Sequence, residues 1–457
     1  MERLPSPPTP TFWNLLQWII RPMEYLRSCS QQYGERFAVD VGAGNPLIFL
    51  SHPQAIEQIL TAPANSFDSG RSNWVLRATL GDHSLLLLDG EPHQRQRQLL
   101  MPPFHGERMR AYGQLICQIT EQVTSQWQVG QPFVARSAMQ EISLSVMMRA
   151  VFGLSQGDRS DRLKAMLNDL LKLTASRFGF AMAFFPILQK DWGVWSPGGQ
   201  FNRRKQQIDD LLYTEIRERR AHFDPTRTDI LSLLLAARDE AGQGMTDEEL
   251  RDELITLLIA GHETTATALS WALYWIHAVP GVKAKMLAEI EQLGRHPEQM
   301  AIARAPYLSA VCSETLRIYP VTLITEIRIA KAPIQIREDV FETDSLLAPC
   351  IYLLHQREDI YPEPDQFRPE RFLERQYSAY EYLPFGGSNR RCIGAAFALF
   401  EMKLALFTIL SHYQLDLAET APVVPVRRGV TVGPKGGVKM VMTGRVAEPQ
   451  AAIPTLV

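Results

Sequence analysis

Cysteine is scarce in this chain and shows no pairing. Cys29, Cys117, Cys312, Cys350 and Cys392 are odd in number and include no C-x-x-C pair. That excludes a disulfide framework and a zinc cluster, and it fits a reducing, cytoplasmic setting. Charge of one sign is lacking too: 47 basic residues against 50 acidic ones leave a net −3. No nucleic-acid partner is expected from so even a balance. Repeats of 20–50 residues and low-complexity linkers are absent, which excludes solenoids and strings of modules. Long uninterrupted hydrophobic runs are missing as well. Residues 12–20 are apolar but carry Asn14 and Gln17, lack a small-residue cleavage site and are too short to span a bilayer, so neither a signal peptide nor a transmembrane anchor is expected. This amphipathic segment follows the proline-rich Leu4-Pro5-Ser6-Pro7-Pro8. It could make a peripheral membrane contact or pack onto the body of the protein, the commoner outcome. Residues 254–279 would attract a hydropathy scan, yet His262, Glu263 and several threonines mid-span mark a buried helix instead.

What is present is a large potential core, 46% hydrophobic over 457 residues, with thirty prolines to punctuate it. Helical periodicity predicts helices over 91–101, 107–127, 137–153, 160–176, 200–222, 228–239, 247–279, 281–293 and 307–319, with another at 52–60. Short strands are expected at 37–41, 47–50, within 324–337, at 348–353 and within 430–443. The fold class is mainly α with a small β portion drawn from both ends of the chain. One intertwined domain over 1–457, with a proline-rich segment at about 1–35, accounts for that better than separate units.

The chemistry concentrates near the C-terminus. Cys392 follows the turn-forming basic run Gly386-Gly387-Ser388-Asn389-Arg390-Arg391 and opens a helix-prone stretch at 395–410. Peptide N–H groups and two arginines at such a junction favour thiolate over thiol, making Cys392 a nucleophile or a metal ligand. Phe385, Arg390, Cys392 and Gly394 stand in the spacing F-x4-R-x-C-x-G, which resembles the haem-ligand signature of the cytochrome P450 superfamily. Four fixed positions match by chance in roughly one chain per thousand of this length. The resemblance implies that Cys392 binds haem iron, that Arg390 offers a charge to a propionate and that Gly394 lets backbone approach the porphyrin. The family usually has glycine four residues before the cysteine, where this chain has Ser388. A Cβ in a left-handed turn there costs about 1–2 kcal/mol.

Further stretches match in family order. Asp89-Gly90-Glu91-Pro92 starts a helix that puts His93 and Arg97 on one face, like the P450 helix that contacts haem propionates. Thr246-Asp247-Glu248-Glu249 is a capping box and Pro280 marks the far end of its helix. At mid-helix, Ala260-Gly261-His262-Glu263-Thr264 is similar to the family's oxygen-activating motif. Ala260 and Gly261 would keep the surface low against a flat ligand, while Glu263 and Thr264 would deliver protons. His262 is expected to point away as an ordinary buried histidine. Glu314 and Arg317 lie three apart on a helix and, with Arg371 of Phe367-Arg368-Pro369-Glu370-Arg371-Phe372, match the structural triad that fixes the thiolate side. Arg328 and the His355-Gln356-Arg357 run lie where the family often has further cationic contacts.

The resemblance spans nearly the whole chain and implies a cytochrome P450 fold, with haem b (iron protoporphyrin IX) between the long central helix and the helix after the cysteine loop. The implied function is a haem-thiolate monooxygenase that inserts one atom of O2 into an apolar substrate. The alternatives are a haem-thiolate isomerase or dehydratase, or a non-catalytic haem-binding sensor; the first would lack the Glu263–Thr264 pair, and the second would need neither relay nor pocket. No electron-transfer module is left over in the sequence, so a separate ferredoxin or flavodoxin is expected; Arg95, Arg110, Arg391 and Lys403 could form a basic dock for it or be an ordinary solvated surface. Leu86, Leu87, Phe180, Phe184, Leu258, Val321, Ile324 and Val432 match substrate-contact regions and suit a long-chain fatty acid, alkane or terpenoid, though any one of them could simply be core, the commoner outcome. Bacterial, particularly cyanobacterial, fatty-acid and terpenoid hydroxylases are the members it resembles. Glu326 could meet a cationic substrate group or turn away from the pocket.

Overall fold

The computed structural model describes residues 4–446 except 43, 105, 107, 154–156, 176–189, 194 and 295. Its axis is the central helix, Asp247–Ala278. The Thr246 side chain accepts from the Glu249 N–H at 3.1 Å and Glu249 Oε2 accepts from the Thr246 N–H at 2.8 Å, closing the expected capping box. Three acidic residues in the first turn complement the helix dipole. With 32 residues the rod is about 48 Å long, and residues on every side of it are buried. Helix Ala135–Phe152 packs along it, and the C-terminal helix Ala395–His412 joins the same core. That last helix is the only described one long and apolar enough to cross a membrane. Two-thirds of it is buried inside the protein, however, with Glu401 fully enclosed, so it reads as a core helix.

Strands from distant parts of the chain share sheets. The largest runs β1 (Arg36–Val39), β2 (Leu47–Leu50), β8 (Leu346–Pro349), β5 (Arg328–Ala330), β3 (Phe67–Asp68). β2 pairs in parallel with β8, Leu47 opposite Leu346, while the other pairs are antiparallel. β4 (Pro132–Val134) and β9 (Tyr413–Leu417) flank β12 (Lys439–Arg445). Two hairpins complete the set, β6 (Ile334–Ile336) with β7 (Asp339–Phe341) and β10 (Pro425–Arg428) with β11 (Thr431–Pro434). The strand expected at 348–353 stops at Pro349, which has no N–H for a ladder, and 351–355 coils into a helical turn.

The N-terminal helix Thr11–Ile20 lies against this body. Trp18 packs edge-on to Phe49 and carries the Arg427 guanidinium 4.4 Å over its ring, while Phe12, Trp13 and Ile20 stay exposed.

One close approach positions the loop before the basic helix Gly90–Leu100. The Asp89 carboxylate accepts from the N–H groups of Ser69, Gly70 and Arg71 at 2.7, 2.9 and 3.0 Å, drawing residues 69–71 under residues 87–88. A Cβ on Gly70 would lie 2.3 Å from the Leu87 carbonyl oxygen, which is backbone and cannot turn aside. Gly70→Ala should therefore destabilise the fold by about 1–3 kcal/mol, seen as a lower denaturation midpoint in urea. An unchanged midpoint would mean that the 87–88 loop yields freely.

Candidate active site

Cys392 sits just before the helix Ala395–His412, its N–H donating to the Phe385 carbonyl at 2.9 Å. Its residue is accessible to solvent although protein surrounds the sulfur on nearly every side, a combination that fits a sulfur lining an internal space. The loop before it holds Gly386 at φ +65° and Ser388 at φ +62°, so Ser388 occupies the left-handed conformation where a Cβ is unfavourable. The expectation of a ready thiolate needs correction. Burial pushes the Cys392 thiol above its ordinary range, and the Gly394 N–H, Arg97 and Arg391 offset that only in part. A bound cation would favour deprotonation.

The loop is anchored from behind by the predicted triad. Arg317 grips Glu314 through two bonds, Nε to Oε2 at 2.7 Å and Nη2 to Oε1 at 2.8 Å, and Arg371 Nε adds a third at 3.2 Å. All three residues are buried. The remaining guanidinium N–H groups donate to carbonyls of Pro362, Glu363, Pro364, Gln366 and His355. His355 is not the cation the sequence reading allowed. Burial and the neighbouring Arg317 hold its pKa down to about 3, and its Nε2 accepts from the Leu383 N–H at 3.0 Å. Arg357 likewise faces elsewhere, pairing with Glu35 and Asp359.

The central helix presents a narrow accessible face in the midst of its buried length: Ala260 is exposed, and Ile259, Gly261 and Thr264 partly so. Thr264 Oγ1 donates back to the Ala260 carbonyl at 2.6 Å. Ala260 keeps this surface low, but Gly261 is small for another reason: a Cβ there would meet Met147 of the neighbouring helix at 2.8 Å. Glu263 is buried on the flank facing Ala135–Phe152, ion-paired to Arg136 and accepting from Gln140 Nε2 at 2.9 Å. Those partners lie more than a hundred residues away, and nothing near 263 points to them. His262 is buried and held neutral, its pKa lowered to about 4 by desolvation.

Beside the cysteine loop lies a basic edge. Arg97 donates to the Arg391 carbonyl at 2.8 Å and senses Cys392 electrostatically. Arg390 is more committed than expected: it donates to the carbonyls of Leu85 and Leu88 and to Asp89 Oδ1 at 2.5 Å, clamping the 85–89 segment to the cysteine loop. Arg328 is buried and donates to Ser69 Oγ at 2.7 Å, while its Nε has no partner among the described residues; burial lowers its pKa to about 10. His93 is buried and uncharged, with burial and the nearby Arg390 and Arg97 taking its pKa to about 3. A small cleft opens here, lined by His93, Gln94, Arg328, Ser388, Asn389 and Arg390. Glu326 faces this edge, not a substrate: its Oε2 lies 3.7 Å from Arg390 Nε. An orphaned guanidinium nitrogen, three arginines and an accessible cysteine suit a metal-bearing group with acidic substituents.

Leu86, Leu87, Val321 and Ile324 keep partial exposure, as pocket residues should. Leu258 and Val432 do not: both are closed within the core, and Val432 is pinned through its N–H to Val321 and its carbonyl to Trp271. Phe180 and Phe184 lie outside the described residues. Of the proposed docking cations, Arg95 is paired with Asp239 and Glu249, and Lys403 donates to the Ala303 carbonyl, leaving Arg110 and Arg391 exposed.

A family model for cytochrome P450 matches residues 4–440. A Mycobacterium tuberculosis protein named cytochrome P450 135B1 is 35% identical over 440 residues, covering 95% of this chain and 90% of its own. Cytochrome P450 138 of Mycobacterium bovis is 32% identical over 439 residues, covering 95% of each. Among solved structures, the retinoic acid bound cyanobacterial CYP120A1 superposes with a TM-score of 0.83 at 23% identity, covering 97% of this chain and 99% of that one. The cytochrome P450DA heme domain does so with 0.85 at 23%, covering 98% and 100%.

The left-handed Ser388 gives a direct test. Ser388→Gly should stabilise the protein by about 1 kcal/mol, measured as a raised unfolding midpoint. A lower midpoint would show that the serine side chain contributes more than its backbone costs.

Proposed function

Because the chain belongs to the cytochrome P450 family of haem-thiolate monooxygenases, we propose that it holds haem b through Cys392 and oxygenates a long-chain fatty acid, alkane or terpenoid. The observation that carries the reading is the sulfur itself, reachable although protein encloses it, at the start of a core helix and flanked by Arg97 and Arg391. Bound to a thiolate, haem iron supplies activation of O2 and transfer of one oxygen atom, the other leaving as water.

The chain's own residues then have distinct tasks. Arg97 and Arg328, with a neutral His93, hold the acidic edge of the cofactor, and Arg390 fixes the segment that shapes it. Thr264, accepting protons on the accessible face of the central helix, passes them to the oxygen side. Glu263 resupplies Thr264 from solvent, and its pair with Arg136 and Gln140 means that each delivery starts by releasing that carboxylate. Leu86, Leu87, Val321 and Ile324 orient an apolar substrate and keep bulk water out, which favours product over peroxide. The reading takes the chain as one cytoplasmic domain that receives electrons from a separate ferredoxin or flavodoxin, for which Arg391 and Arg110 are the exposed cations. The Glu263–Thr264 pair favours oxygenation over isomerisation or dehydration.

The reduced, CO-bound spectrum tests ligation: the protein should show the long-wavelength band of a thiolate complex, and Cys392→Ala should lose it. Persistence of that band in the variant would reassign the ligand. Thr264→Ala should bind cofactor and apolar ligands normally. Its product per electron should fall by up to the about 10²-fold that a positioned proton donor contributes, with peroxide rising to match. Equal coupling in the variant would remove Thr264 from proton delivery.

A further inference from the structure

Glu401 stands well inside the helix Ala395–His412, and no part of it reaches solvent. Neither of its oxygens has a hydrogen-bond partner among the described residues, and no charged side chain there bears on it. An ionised carboxylate enclosed without a cation or a donor is prohibitively costly, so the acid is neutral. The polar side chain set against it is Ser143 of the helix Ala135–Phe152. This serine is itself fully buried, and its hydroxyl donates to the Gly261 carbonyl of the central helix over a long 3.4 Å. Ser143 therefore stands between the cysteine helix and the central one.

Counting hydrogens fixes the direction of these contacts. A serine hydroxyl has one proton to give and two lone pairs to offer. A carbonyl can only accept, so the Ser143 proton belongs to Gly261. The contact with Glu401 then has no hydrogen unless the carboxyl supplies it. A carboxylate would instead draw the serine proton to itself and leave the Gly261 carbonyl to its own helix. Burial pushes the Glu401 carboxyl up to about 8, which agrees with an acid that keeps its proton.

We propose that neutral Glu401 and Ser143 form a brace, carboxyl to hydroxyl to Gly261 carbonyl, tying the cysteine helix to the turn of the central helix that presents Thr264. Both are positioning residues. The Gly261 peptide adjoins Ala260, whose carbonyl takes the Thr264 hydroxyl at 2.6 Å, so holding one limits the swing of the other. The consequence for Thr264 rests on the proton-delivery reading above; the brace itself does not.

Infrared difference spectra of the intact protein test the brace first, at about pH 7, where an ordinary glutamate is ionised. The wild type should show the C=O stretch of a carboxylic acid that Glu401→Gln lacks, and Ser143→Ala should displace that band. The second arm reads the oxygen side of the reduced, CO-bound holoprotein. Ser143→Ala should shift the C–O stretch and lower product per electron by up to about tenfold, the upper end for one lost hydrogen bond. Glu401→Gln, whose amide still donates to Ser143, should keep both at wild-type values. An acid band that is missing, or that survives Glu401→Gln, removes the proton and the brace with it. A band unmoved by Ser143→Ala breaks the link between acid and serine. Unchanged C–O stretch and coupling in Ser143→Ala overturn the positioning role. A protein that forms no CO complex ends the haem reading and that role together, while the acid band still judges the brace alone.

Discussion

The cysteine side of the molecule hangs on one carboxylate, Glu314, gripped by two guanidiniums where no water reaches. Removing a single partner from such a buried group leaves an uncompensated charge, typically at about 3–5 kcal/mol. The grip matters because it is relayed outward. Arg317 and Arg371 use their other N–H groups to fix five carbonyls, among them that of His355. His355 receives the N–H of Leu383, two residues before Phe385, and the Phe385 carbonyl in turn receives the N–H of Cys392. A sulfur that must be placed to within a fraction of an ångström is thus referred, bond by bond, to a fully buried polar cluster. Its position does not depend on the loop that carries it, and that loop can tolerate the strained Ser388.

A second constraint comes from the other direction. Asp89 binds three backbone N–H groups and Arg390, so that the segment before the basic helix, the 69–71 turn and the cysteine loop are held at one point. The side chain that the motif offers as a cofactor contact therefore acts largely as a clamp between protein segments. On the central helix the division of labour is by helix face. Ala260 and Thr264 stand on the accessible side, Gly261 makes room for Met147, and Glu263 is tied to the adjacent helix.

Local signals were legible where one stretch of chain decides the outcome. The helix at 247–278 announces itself through its capping box and closing proline, and the Glu314–Arg317–Arg371 cluster is readable because its members keep a fixed order. The fold class followed from periodicity and the family from a handful of spacings. What could not be read depends on neighbours remote in sequence. Arg136 and Met147 decide how Glu263 and Gly261 behave, yet nothing near 261–263 mentions them. Leu258 and Val432 could have been pocket or core until the folded chain enclosed them. The thiolate expectation for Cys392 failed on magnitude: nearby arginines and peptide dipoles are local and visible, while the desolvation that outweighs them belongs to the assembled core.

The parallel pairing of β2 with β8 joins segments about 300 residues apart, with most of the helical body strung between them. A chain emerging from the ribosome at about 5–20 residues per second must therefore hold β1 and β2 unpartnered on one side for about 15–60 seconds before their neighbour exists. During that interval the two leading strands offer a bare edge to any other polypeptide, the usual seed of aggregation. The charged Arg36 and the prolines at 46 and 53 that bracket this hairpin are the features available to discourage such pairing. Yield in a foreign host should thus be governed by translation speed and chaperone supply more than by the final stability of the finished protein.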